Sequence, residues 1–74
     1  MKELTARELI VRADAIRRDR GLSQAEWSRL SGLDEVGMTI SRAYKRGNCK
    51  ISTFNRLIDP LGYELVLVKK GDSL

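Results

Sequence analysis

The sequence predicts a mostly helical domain of four to five short helices, followed by one C-terminal β-strand. Apolar residues recur at three- and four-residue spacing through four successive segments, and residues 63–68 replace that period with a β-branched, aromatic and leucine run. A chain of 74 residues has room for one domain, and a domain this small buries little surface, which makes a partner chain an expected source of stability. We divide it into a helical domain (1–62), a strand (63–70) and a tail (71–74).

The first two predicted helices begin at capping boxes. In a capping box, a side-chain hydroxyl accepts a hydrogen bond from the backbone N–H of a glutamate three residues later, and the glutamate side chain accepts from the backbone N–H of the hydroxyl residue. Thr5 and Glu8 form the first pattern, and Ser23 and Glu26 form the second. We expect the arginines of the first helix, which alternate with acidic residues, to serve solubility. Apolar residues predicted for burial in these helices are Leu9, Ala13, Ile16, Ala25, Trp27 and Leu30, and the predicted ends are Gly21 and Gly32.

The third predicted helix has one core face and one basic, hydroxylated face. Asp34 is its expected N-cap and Gly47 its expected C-cap. At about 100° per residue, one sector holds Val36, Ile40, Ala43 and Tyr44. The remaining arc holds Thr39, Ser41, Arg42, Lys45 and Arg46.

A fourth helix and a strand complete the prediction. Ile51, Phe54, Leu57 and Ile58 recur at helical spacing, Pro60 stops or kinks the helix, and Gly62 closes the helical part. No other segment resembles a strand, so we expect the strand to pair with that of a second copy in an antiparallel ribbon across a twofold axis. The predicted dimer interface comprises Tyr63, Leu65, Val66, Leu67 and Val68.

Charge and composition favour an anionic partner and argue against an enzyme. The net charge is +4, and all of the excess lies in residues 38–74, which hold seven basic and three acidic residues. With no histidine, the single cysteine Cys49 and no glycine-rich phosphate loop, neither a catalytic triad nor a zinc site is expected, and we predict no cofactor and no metal. No apolar run suits a signal peptide or a membrane span, so we expect a cytoplasmic protein without a membrane partner.

The stretches Leu22-Ser23-Gln24-Ala25-Glu26 and Thr39-Ile40-Ser41-Arg42, with Lys45-Arg46-Gly47 after them, carry a family resemblance. Together they resemble the lambda-repressor-like helix-turn-helix family, also called the Xre or Cro family, over residues 9–62. The tail from Gly62 resembles the C-terminal strand of antitoxins from kinase-type toxin systems. Between Gly32 and Thr39 the chain has a few more residues than most members, which leaves the placement of Val36, Gly37 and Met38 open.

The resemblance implies a transcriptional regulator, a repressor that binds a palindromic operator as a homodimer. One helix braces the DNA backbone while the next enters the major groove. Arg42 would recognise guanine through two hydrogen bonds. Residues implied to read bases are Met38, Thr39, Ser41 and Arg42, and residues implied to contact phosphates are Ser23, Gln24, Lys45, Arg46, Asn48 and Lys50. The alternatives are an antitoxin that neutralises a toxin protein and represses its own operon, and a phage or mobile-element regulator without a protein partner.

Overall fold

A computed structural model describes residues 4–69 as a helical bundle. The helices are α1 (Ala6–Asp19), α2 (Gln24–Leu30), α3 (Met38–Arg46) and α4 (Ile51–Ile58), followed by a 3₁₀ helix at Asp59–Leu61. This confirms the prediction of a mostly helical chain with four to five short helices. Residue 70 of the predicted strand and the predicted tail, residues 71–74, lie outside the described residues.

The helix ends follow the local signals of the sequence. Thr5 Oγ1 accepts a hydrogen bond from the Glu8 backbone N–H at 3.1 Å. Ser23 Oγ accepts from the Glu26 N–H at 3.1 Å, and Glu26 Oε1 accepts from the Ser23 N–H at 3.0 Å, which completes the second capping box. Glycines with positive φ lie where predicted: Gly21, Gly32 and Gly47 follow α1, α2 and α3, and Gly62 follows the 3₁₀ helix.

The start of α3 corrects one prediction. Asp34 is not the N-cap: α3 begins at Met38, and Gly37 is the N-cap with φ 82°. The Asp34 carboxylate nevertheless reaches forward and accepts from the backbone N–H groups of Met38 and Thr39 at 2.6 and 2.9 Å. The extra residues of the turn fold back on the start of α3. A side chain outside the helix therefore accepts hydrogen bonds from the first backbone N–H groups of α3.

A single apolar core joins all the helices. Trp27 lies at its centre, and its Nε1–H donates to the Leu57 carbonyl at 2.8 Å, which ties α2 to α4. This confirms Trp27 as a core anchor. The core comprises Ile10, Ala13, Trp27, Ile40, Ala43, Phe54, Leu57, Ile58 and Leu61.

Four predicted core positions lie on the surface instead. Val36 is 69% exposed because it precedes α3, so a helical angle counted from it does not apply. Tyr44 lies at the edge of the buried arc of α3 and is exposed. Leu30 in the last turn of α2 and Ile51 at the first position of α4 are also exposed, at 59% and 74%.

Arg17 corrects the expectation that the arginines of α1 only serve solubility. Its Nε–H donates to the buried carboxylate of Asp14 at 3.0 Å, and Nη1 donates to the Leu22 carbonyl at 3.0 Å. The guanidinium carbon lies 6.0 Å from the centre of the Trp27 ring. Arg17 therefore compensates a buried charge and ties the α1–α2 turn to the core.

Residues 63–69 follow the helices without regular secondary structure, and their side chains are exposed. Leu67 is 104% exposed, so its apolar surface is entirely in solvent. Within residues 4–69 there is no strand, so the predicted C-terminal strand is not confirmed and stays a prediction. Among the described helices, none has the length and apolar character that crossing a bilayer requires.

Candidate nucleic-acid interface

The surface of α3 that points away from the core is basic and hydroxylated. At about 100° per residue, its side chains lie opposite the buried pair Ile40 and Ala43. Thr39 and Arg46 lie together at one edge of this arc, and Thr39 is half-buried. The exposed residues that define what we call the α3 face are Met38, Ser41, Arg42 and Lys45.

A hollow of about 240 Å³ borders the α3 face on the side of α4. Its lining includes the cations Arg42, Arg46 and Lys50 and carries no carboxylate. The polar residues Thr39 and Asn48 also line it. This α3–α4 hollow can therefore receive an anionic oxygen group between cations and neutral hydrogen-bonding side chains.

The sequence around the hollow is free of acidic residues. Residues 38–58 contain five basic residues and no aspartate or glutamate. Positive charge concentrated on one side of a small domain produces a local potential that attracts polyanions. The α3 face and the hollow thus form one continuous basic surface.

The predicted base-reading residues and most of the predicted phosphate-contacting residues come together on this surface. Asn48 follows α3, and its Oδ1 accepts from the Cys49 N–H at 2.9 Å, which shapes the loop. Lys50 is the N-cap residue of α4. Ser23 and Gln24 lie at the start of α2, where the Gln24 side chain reaches the N-cap of α3, and the predicted interface residues of the tail lie beyond the 3₁₀ helix.

Gln24 and Ser28 brace the turn that precedes α3. Gln24 Nε2–H donates to the Gly37 carbonyl at 3.0 Å, and Ser28 Oγ–H donates to the Asp34 carbonyl. Gly37 is suited to this contact, because a Cβ at its position would lie 3.1 Å from the Gln24 side chain and its φ is positive. The family resemblance implies that Gln24 contacts phosphate, and its side-chain amide also holds the beginning of α3 in place.

Arg7 is a residue of this region that the sequence did not predict. Its Nη1–H donates to the Tyr44 carbonyl in the last turn of α3 at 3.3 Å. A Cβ at Gly47 would lie 2.5 Å from the guanidinium carbon of Arg7, so the glycine makes room for the arginine. The positive group sits at the negative end of the helix dipole, and no local signal marks a contact across 37 residues.

The surroundings of Asp34 and Cys49 shift the pKa values of these two side chains. The backbone hydrogen bonds from Thr39 and Met38 hold the pKa of Asp34 well below its usual range, so its carboxylate is charged at the start of α3. Burial raises the pKa of the Cys49 thiol, which favours the neutral form. Among residues 4–69, no cluster of three or more histidine, cysteine or acidic residues could hold a metal ion.

Comparisons with family models, with curated proteins and with solved structures found no significant match. The α3 face and the α3–α4 hollow are therefore the observations that bear on function, together with the resemblance carried by residues 22–47.

Proposed function

We propose that this protein is a sequence-specific regulator of transcription, a repressor that binds double-stranded DNA by inserting α3 into the major groove. The observation that carries the proposal is the α3 face, where exposed basic and hydroxyl side chains project from a short helix. The preceding helix braces that helix through Gln24 and Ser28. This bracing supports the proposal, because in helix-turn-helix proteins a recognition helix is presented to DNA while its neighbour crosses the backbone.

Arg42 is the principal base-reading residue in this proposal. It is exposed in the middle of α3, and its guanidinium can donate two parallel hydrogen bonds to O6 and N7 of a guanine. Ser41 and Thr39 offer hydroxyl groups that donate or accept at neighbouring base edges.

Phosphate contacts are assigned to the edge of the same surface. Lys45 and Arg46 lie in the last turn of α3, and Lys50 and Asn48 border the hollow beside it. Contacts of this kind fix the register of the protein on the duplex and supply affinity that falls with salt. Ser23 and Gln24 are assigned to the backbone on the other side of the groove.

The proposed DNA-binding unit is a homodimer joined by residues 63–68. Their side chains are exposed and largely apolar, and a segment without regular secondary structure leaves backbone donors and acceptors that a second copy can pair. An antiparallel ribbon across a twofold axis would satisfy them and bury the apolar side chains. A twofold protein recognises a palindrome whose half-sites lie about one helical turn, or a small multiple of it, apart.

The experiment that tests the proposal is selection of binding sites from a pool of randomised DNA duplexes with the full chain. We expect enrichment of a palindromic sequence that the protein binds far more tightly than it binds an unrelated duplex or either single strand of the site. The affinity, measured by fluorescence anisotropy at several salt concentrations, falls as salt rises. A pool that shows no enriched sequence after repeated rounds would contradict sequence-specific DNA binding.

A further inference from the structure

The start of the α3 face is apolar, whereas the rest of it is polar or charged. Val36, two residues before the helix, is 69% exposed, and Met38, its first residue, is 52% exposed. Both hydrophobic side chains are exposed, and Met38 lies one helical turn before Ser41 and Arg42.

Charge along α3 runs from negative to positive. Asp34 and Glu35 precede the helix, while Lys45 and Arg46 lie in its last turn. On DNA, carboxylates near the phosphate backbone are repelled, whereas lysine and arginine are attracted to it. The beginning of α3 is therefore suited to the floor of the groove, where base edges lie, and its end is suited to the backbone.

The backbone that carries the apolar pair is held in place from two directions. Gln24 and Ser28 on α2 donate to the carbonyls of Gly37 and Asp34, and the Asp34 carboxylate accepts from the first amides of α3. Selective reading of a base requires side chains presented at a defined position. The bracing hydrogen bonds meet this requirement for Val36 and Met38.

From this geometry we propose that Val36 and Met38 read thymine through its C5-methyl group. That methyl group is the apolar feature that thymine presents in the major groove, and apolar side chains recognise it by contact. The inference rests on the proposed insertion of α3 into DNA and specifies what the first part of the helix recognises there. The ligand that contacts Val36 and Met38 is thus a thymine-containing half-site.

The test replaces the thymines of the selected half-site by deoxyuridine, one position at a time in both half-sites. Deoxyuridine keeps the base pair and lacks only the methyl group. At one or two positions of the half-site, we expect the affinity to fall about fourfold for each methyl group removed. This is the loss expected when one methyl-sized group is no longer buried at the interface. Fluorescence anisotropy with the full chain measures this loss.

Protein variants assign the effect to the two side chains. Val36→Ala and Met38→Ala each weaken binding to the thymine duplex. In each variant, replacing thymine by deoxyuridine at the position that the missing side chain reads no longer lowers the affinity. Because both side chains are exposed, neither variant removes core packing. The matched control is Val11→Ala, an exposed valine of α1, which keeps the full response to deoxyuridine.

The outcomes separate this inference from the function on which it rests. If an enriched duplex is bound tightly and deoxyuridine has no effect at any position, or the half-site contains no thymine, thymine reading is overturned and DNA binding stands. If the deoxyuridine effect persists in both variants, its assignment to Val36 and Met38 is overturned. If no duplex is enriched, the proposed function itself fails.

Discussion

The arginines of this protein fall into two groups, those whose guanidinium groups the fold holds and those that remain on the surface. Arg17 is held by a buried carboxylate, a backbone carbonyl and the tryptophan ring, and Arg7 by the last turn of α3. Arg42 is exposed on the α3 face. An arginine with its donors directed to solvent is available to a ligand at no cost in folding stability.

Arg42→Ala is predicted to weaken operator binding by about 1–3 kcal/mol, the range for loss of a good base contact, and to relax the preference at one base-pair position. Anisotropy titrations against the selected duplex and its single-base variants measure both effects. Arg12→Ala is the matched control: it removes the same charge from an exposed position of α1 and leaves base preference unchanged. Normal affinity and preference in the Arg42 variant would refute the assignment of α3 as the reading helix.

At the scale of elements, the turn between α2 and α3 decides how the α3 face is presented. Asp34 closes this turn by accepting from two backbone amides, and the negative carboxylate lies at the positive end of the helix dipole. Glu35 is its sequence neighbour and is exposed. The two carboxylates therefore differ in what they do for the helix, although their sequence positions are nearly equivalent.

Asp34→Asn is predicted to lower the thermal stability of the protein at neutral pH, because the amide loses the charge and keeps one acceptor oxygen where the carboxylate offers two to the N–H groups of Met38 and Thr39. The hydrogen bonds lower the pKa of Asp34 in the folded state, so its charge stabilises the fold above the ordinary aspartate pKa of about 3.9. That contribution is lost as the pH falls from there toward the lowered pKa. The difference in melting temperature between wild type and variant therefore narrows in acid.

Thermal unfolding followed by circular dichroism between pH 7 and about pH 2 measures this dependence. Glu35→Gln removes the same charge one residue away and serves as the control, with little effect on the melting temperature at either pH. An equal loss in both variants would show that general charge, rather than capping by Asp34, stabilises the start of α3.

At the scale of the whole molecule, the helical domain and the tail differ in how they are supported. Every residue of the apolar core lies between Ile10 and Leu61, so the core does not need the tail. Residues 63–69 expose apolar side chains that a monomer leaves in water. We therefore expect the tail to govern association rather than folding of the domain.

A chain that ends at Gly62 is predicted to keep its helical circular dichroism spectrum, to sediment as a monomer and to bind a full palindrome weakly. Val66→Pro in the full chain tests the same point without truncation, because proline removes a backbone donor from the proposed ribbon while Val66 is exposed. Sedimentation equilibrium of both proteins provides the measurement. An intact dimer in either case would argue against a ribbon formed by residues 63–68.

Much of the fold could be read from short stretches of sequence. Thr5, Ser23 and the glycines that end the helices act within four or five residues, and these local signals gave correct helix ends. Helical spacing also identified most of the core, including Trp27. The basic arc of α3 was predictable for the same reason, because it depends only on the period of one helix.

Tertiary structure alone decided the features that depend on contacts between distant residues. Where α3 begins depends on a turn that Gln24 holds from 13 positions away, and this also left Val36 exposed. The roles of Arg17 and Arg7 follow from what the folded chain places beside them. A periodic pattern specifies which side of a helix is buried, but only packing fixes where the helix starts and which polar groups meet at its ends.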